Sequence, residues 1–505
     1  MRYCIHIVLF LLFGQAVGQN TTHRFEVELT KENGVGEASI LSHYIVLPVH
    51  DDYSKREHNP DRKYLVLDTA LNTIDQVDIN IEFRQKFADG YSNDTALYQL
   101  FYDYRLGDFT LVAVIPGQET FRHEGRLPPR MFEPTILVFD ENLWVVDHQP
   151  GKEKVVVYNF NSEAAHSLDI SPKMKRSKNR ELEFKWLDGP LQAVYCWQEE
   201  SAKDCRTYIA VWDDEGELLS SHRLEHETAY KIQEISVYPV DESQYVMAGV
   251  MGNRSTSKSN RVFFGRLEDG SMTIFKTTPF SELIHYFDYL SKQQKKDMNR
   301  RIKRLKRHEK EFDVSVLAQV SPLVYMDNSF FLPVEVYSGV YTDQYGADRT
   351  YIDNSTTAIS RTNISGIPQE LRGYYYSHAS LIRFDSFGDI KHDYFVSLNT
   401  NVTGQKRDKL LRLHVQADTL CVMYTAKNST YRGSVKPRSF LKMELDSNVI
   451  IRPADVVEQY KDVFFDTGQG VDGQGVILLG FETRVTKLKT RQKENIYVIE
   501  KRKLR

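Results

Sequence analysis

The chain has 505 residues, 41% of them hydrophobic and 12% aromatic, with 16 Pro and 4 Cys. That aromatic content excludes a disordered chain, and so few cysteines exclude a disulfide-stapled scaffold. The 65 basic and 69 acidic residues leave a net charge of −4, which argues against a general nucleic-acid binder.

Residues 1–18 read as a secretory signal peptide. Arg2 supplies the positive start, residues 5–13 the apolar core, and Ala16-Val17-Gly18 a small-x-small cleavage site. No later apolar run approaches the length needed to cross a bilayer, so an exported chain without a transmembrane span is expected after cleavage. Seven Asn-x-Ser/Thr sequons, at Asn20, Asn93, Asn253, Asn354, Asn363, Asn401 and Asn428, matter only where glycosylation machinery exists.

From residue 63 onward one pattern recurs: an apolar strand, a turn rich in Asp, Asn and Gly, then a second strand. It begins as "KYLVLDTALNTIDQVDI" and "DFTLVAVIPGQETFRHE", and ends in the half-unit "NIYVIEKRKLR". Counted from Tyr64, Phe109, Val155, Tyr208, Val262, Leu381, Phe440 and Ile496, the intervals are 45, 46, 53, 54, 119, 59 and 56 residues. Two insertions, 279–311 and 340–374, account for the long interval. A repeat of this length with about four strands per unit predicts an all-β fold, a single β-propeller over residues 19–505. Eight blades is the expected number, with seven the alternative. The last unit lacks a final strand, and "RFEVELT" near the N-terminus could supply it. Such closure would remove an open sheet edge.

Cys196 and Cys205 flank a polar segment between two strand-like runs, and a disulfide across that hairpin is expected in an exported protein. Cys421, within "TLCVMYT", reads as a small core residue.

The first insertion opens with Thr278-Pro279, a helix-start signal. Leu283, Ile284, Phe287 and Leu290 follow at helical spacing and should dock on the ring. Between Ser291 and Lys310 stand ten basic residues against Asp297 and Glu309, a net charge of +8. Arg300, Arg301, Lys303, Arg304, Lys306 and Arg307 are therefore candidate partner-binding residues, with anionic lipid contact over 292–310 as one form of it. The opposing reading is a solvated helix on the protein's own acidic surface. Met298, Ile302 and Leu305 form only a thin apolar stripe, too narrow for strong membrane insertion. The second insertion is rich in Tyr, Ser, Thr and Asn. Its Tyr341, Tyr345, Tyr374 and Tyr375 are further candidate contacts, since Tyr combines a large area with a polar tip.

Motifs for chemistry fail in their context. Residues 468–473 match G-x-G-x-x-G, but "GQGVILLGF" continues as a strand and not as the helix that would hold a pyrophosphate. There is no H-E-x-x-H, no G-x-S-x-G and no paired C-x-x-C, so no catalytic, cofactor or metal residue is assigned. Carboxylates from different blades could still converge at a central channel.

The run "YVMAGVMGNRSTSKSNRVFFGRLEDG", the basic insertion, "FFLPVEVYSGVY" and "YYYSHASLIRFDSFGDIKHD" resemble uncharacterised exported proteins of Bacteroidetes. The resemblance is most specific over residues 245–400. It implies an envelope location, periplasmic or outer-membrane associated, and carries no catalytic residues. The resulting expectation is a non-enzymatic scaffold that binds protein partners, such as those of an outer-membrane complex; the alternative is a glycan-binding or glycan-cleaving propeller.

Overall fold

The computed structural model describes residues 23–503 apart from intervening stretches, the longest being 52–61, 351–369 and 426–437. Tyr345 lies outside the described residues, as does the signal segment. The chain forms two compact units, residues 1–170 with 459–505, and residues 171–458. Among the described residues each unit holds four antiparallel sheets. In chain order these are blades one to eight, spanning residues 33–79, 86–126, 135–168, 178–224, 230–279, 317–403, 411–456 and 463–503. The architecture is an all-β propeller of eight sheets.

The strand chemistry explains the repeat. In blade two, strands Leu97–Tyr102 and Asp108–Val114 are buried almost throughout, whereas Phe121–Arg126 at the edge alternates outward. Middle strands covered on both faces read as continuous apolar runs, and edge strands read as alternation. All eight repeat starts, from Tyr64 to Ile496, fall in the third strand of a different sheet.

Three of the turns after these third strands share one construction. Asp68 Oδ1 accepts from the main chain of Ala70 and Asn72, Asp213 Oδ1 from Glu215 and Glu217, and Asp385 Oδ1 from Phe387 and Asp389. Three residues after each Asp the backbone turns left-handed, at Leu71 (φ 65°), Gly216 (φ 90°) and Gly388 (φ 78°). The Asp-rich turns are therefore backbone caps.

The N-terminal strand completes the last sheet, as the sequence predicts. Strand His23–Leu29 pairs antiparallel with Gln492–Lys503, from His23 opposite Lys501 to Leu29 opposite Asn495. Phe25 and Val27 then pack with Ile499 against Ile45, Leu47 and Leu67 of blade one.

Three expectations are corrected. Cys196 lies opposite Ile209 and Cys205 opposite Glu200, so the expected Cys196–Cys205 disulfide does not form. Four rungs at about 3.4 Å each separate them, beyond the ~7 Å over which two Cα atoms can be bridged. The helix does not start at Pro279: strand Ser271–Pro279 continues to that residue, and two 3-10 turns, Phe280–Glu282 and Tyr286–Tyr289, follow. The helix, α1, spans Lys292–Lys306. Tyr374 and Tyr375 are not in a loop but in strand Glu370–Asp385, and Tyr341 lies in its partner Ser329–Thr342. Residues 468–472 of the G-x-G-x-x-G motif fall at the end of strand Val463–Asp472, paired with Gly475–Lys487, and among the described residues no helix follows.

Candidate functional site

Helix α1 is capped and pinned. Ser291 Oγ accepts from the Gln294 main chain at 3.4 Å, and Gln294 Oε1 accepts from the Ser291 main chain at 3.0 Å, forming a capping box. Lys295 bonds to Asp288 before the helix, and Lys306 reaches Glu282 at 2.8 Å. Burial acts to raise the Asp288 carboxyl, but hydrogen bonds from Lys295 and His285 hold it below its usual range. Met298 and Ile302, both buried, insert into the core of blades five and six beside Phe280, Leu283 and Phe287. Ile284, placed by its spacing on the docking stripe, is instead 69% exposed.

The opposite side of α1 is cationic. Arg300, Arg301, Lys303, Arg304, Lys306 and Arg307 are all exposed. Arg300 pairs with Asp297 at 3.6 Å, and Arg301 lies 5.1 Å over the Phe312 ring. Lys303, Arg304 and Arg307 have no ion-pair partner among the described residues. Burial of Met298 and Ile302 uses the thin apolar stripe, so the helix has no free apolar face for entering a bilayer.

Strand direction fixes where both insertions stand. In a four-stranded antiparallel meander, the hairpin between strands two and three opens at the same end as the link to the next blade. The segment carrying α1 is the link from blade five to blade six, and the Tyr-rich insertion joins strands two and three of blade six. The two insertions therefore share one end of this unit. Blade six is drawn out there: its strands two to four run 14, 16 and 14 residues, against eight to ten in the matching strands of blade five. The Tyr374 ring packs 5.6 Å from Tyr337, and Tyr375 Oη donates to Asn399 at 2.9 Å.

A second group of residues was not singled out in the sequence. On the first strands of blades two, four and five, Asp89, Glu183 and Glu234 each follow a register shift. Each accepts from a main-chain N–H of the next blade: Asp89 from Ile136 (2.9 Å), Glu183 from Val237 (2.7 Å), Glu234 from Val320 (3.1 Å). Glu335 of blade six does the same for Leu410 and Leu411 of blade seven, at 3.1 and 2.7 Å, and also accepts from Gln319. Burial pushes both Glu183 and Glu335 up to about 7. Arg407 bridges Glu234 and Tyr337, at 2.7 Å from each. A carboxyl raised toward neutrality is the usual mark of a general acid. Here both Glu335 oxygens and one Glu183 oxygen are already engaged by donors in the adjoining blade. The arrangement ties neighbouring blades together. Only Glu234 carried a signal, as the one acid in the mostly apolar first strand "YKIQEISVYP".

Near the helix, His378 is fully buried and stacked 4.6 Å from Tyr289, and burial drives its imidazole down to about 3. Among the described residues no cluster of His, Cys, Asp or Glu could hold a metal, and no helix is long and apolar enough to cross a membrane.

No family model matches the sequence, and no curated protein matches it. Solved structures are similar at the level of chain trace only. A prolyl endopeptidase aligns over 90% of this chain at 8% identity and a TM-score of 0.41. This chain spans 54% of that enzyme's length. The β-propeller domain of Nup133 from Vanderwaltozyma polyspora aligns over 94% of this chain and 100% of its own, at 10% identity and a TM-score of 0.39. The polysaccharide lyase Uly1 aligns over 95% and 99%, at 6% identity and a TM-score of 0.38.

Proposed function

We propose that this chain is a non-enzymatic propeller of the cell envelope that binds an acidic protein partner through the cationic end of its second unit, as an accessory subunit of an outer-membrane complex. One observation carries the reading: α1 is held by a capping box, two buried side chains and ion pairs, while Lys303, Arg304 and Arg307 are exposed with no ion-pair partner among the described residues. Cations fixed on a rigid element raise association rates and select acidic surfaces. A protein partner is favoured over lipid because the apolar stripe of α1 is already in the core. The signal-like N-terminus and the resemblance to exported Bacteroidetes proteins support the envelope assignment.

The test uses the full chain, tagged in its native envelope and chemically cross-linked, beside a Lys303→Glu, Arg304→Glu, Arg307→Glu variant. The wild type is expected in a defined complex with an acidic protein, and the variant outside it. Retention of that complex by the variant overturns the reading, as does glycan hydrolysis by the purified chain. Flotation with anionic vesicles would reassign the helix to lipid.

A further inference from the structure

The end of the second unit opposite α1 has the reverse charge. The turns there join strands one to two and three to four of each blade, by the same alternation that places α1. In blade four the turn after Trp212 carries Asp213, Asp214, Glu215 and Glu217; blade five adds Asp241 and Asp269. No Lys or Arg stands in these turns of blades four to six among the described residues. Glu215, Glu217, Asp241 and Asp269 are exposed and have no ion-pair partner among the described residues. Asp327 and Asp389 of blade six, by contrast, are answered by Arg383 and Lys276.

The same blades thus frame a cationic surface at one end and an anionic one at the other. We infer that the acidic partner of the cationic end is the acidic turn end of a second copy of this chain, so that the second units associate end to end. The inference rests on the reading above and names the partner of the same surface. Such a contact is heterologous: each added copy leaves one cationic and one anionic end free, so association is open-ended and concentration-dependent. Its attraction acts between exposed charges and must fall with salt, as the screening length shrinks from about 30 Å at 0.01 M to about 3 Å at 1 M.

Sedimentation velocity of the purified full chain tests this. At low salt the average mass is expected to rise with concentration, and near 0.5 M salt to fall to that of one chain. Reversing the helix (Lys303→Glu, Arg304→Glu, Arg307→Glu) or the turns (Glu215→Lys, Glu217→Lys, Asp241→Lys) should weaken association at least tenfold. In each variant alone the exchanged positions then face charges of their own sign across the contact. Mixing the two restores opposite charges and should restore association. All six positions are exposed, and an unchanged melting temperature confirms the fold; a variant that melts lower is replaced by its Gln counterparts. A wild type that stays single at low salt overturns the inference, as does association that neither reversal weakens. If the helix variant nevertheless loses its envelope complex, the partner is another acidic protein and the proposed function stands.

Discussion

Helix α1 and the buried carboxylates that join neighbouring blades use charge in opposite ways. On α1, cations crowd an exposed surface where little neutralises them, and the helix is held by its buried apolar side. Glu183 and Glu335 stand in the interior, where their oxygens meet main-chain donors of the adjoining blade. An exposed charge can be exchanged with little effect on folding, because water solvates its replacement equally well. A buried acceptor cannot be removed without leaving donors stranded. The first arrangement is free to serve a partner; the second is committed to holding blades together.

The sharpest way to break this contrast is Glu335→Ala. It strands the N–H groups of Leu410 and Leu411, and the loss expected in urea unfolding is about 3 kcal/mol or more, at about 1–3 kcal/mol per unsatisfied donor. If Glu335→Ala unfolds like the wild type, the inter-blade role fails.

A pH series sharpens the comparison next. Glu183 and Glu335 are raised from 4.5 to about 7 in the folded chain. The folded state therefore binds more protons than the unfolded state between those values. The contribution to stability is complete below 4.5 and is lost as pH rises through 7. The loss reaches about 3 kcal/mol per group on a scale of about 1.4 kcal/mol per pH unit. Glu335→Gln should flatten the part of the curve that belongs to Glu335. A stability difference from wild type that does not change between pH 5 and 8 would refute the assignment.

Smaller effects come from the turns and the cap. Gly388 has a φ of 78° and faces the Phe264 ring, so Gly388→Ala should cost about 1–2 kcal/mol in a left-handed backbone, read as a lowered melting temperature. Ser291→Ala removes the capping box and should loosen α1 by about 1 kcal/mol, visible as faster amide exchange over its first turn. Smallest of all, reversing Lys303, Arg304 and Arg307 should leave global stability within about 0.5 kcal/mol, while binding is lost. A large destabilisation there would make α1 a structural element of the same kind as the carboxylates.

Much of the fold was legible in the sequence, for a physical reason in each case. Middle strands buried on both faces must be apolar, so their spacing showed in the one-dimensional pattern, and the eight starts from Tyr64 to Ile496 mark eight third strands. The closing strand was legible because the last repeat was one strand short. The helix start was misplaced because Leu283 and Phe287 are spaced as on a helix yet reach the core from two 3-10 turns. The cysteine pairing was misjudged because nearness in sequence says nothing about register; Cys196 and Cys205 stand on rungs four apart.

The sequence by itself determined the repeat, the concentration of positive charge on one helix and the absence of familiar catalytic motifs, since these depend only on residue type and spacing. Tertiary structure alone decided which charges are free and which are engaged. Glu335 and Arg304 are equally charged as letters, but one is enclosed by the main chain of the next blade and the other faces water. Strand direction, also invisible in composition, set the basic helix and the Tyr-rich insertion at one end of the second unit and the acidic turns at the other. Charge becomes a surface only when the antiparallel chain has assigned each turn to an end.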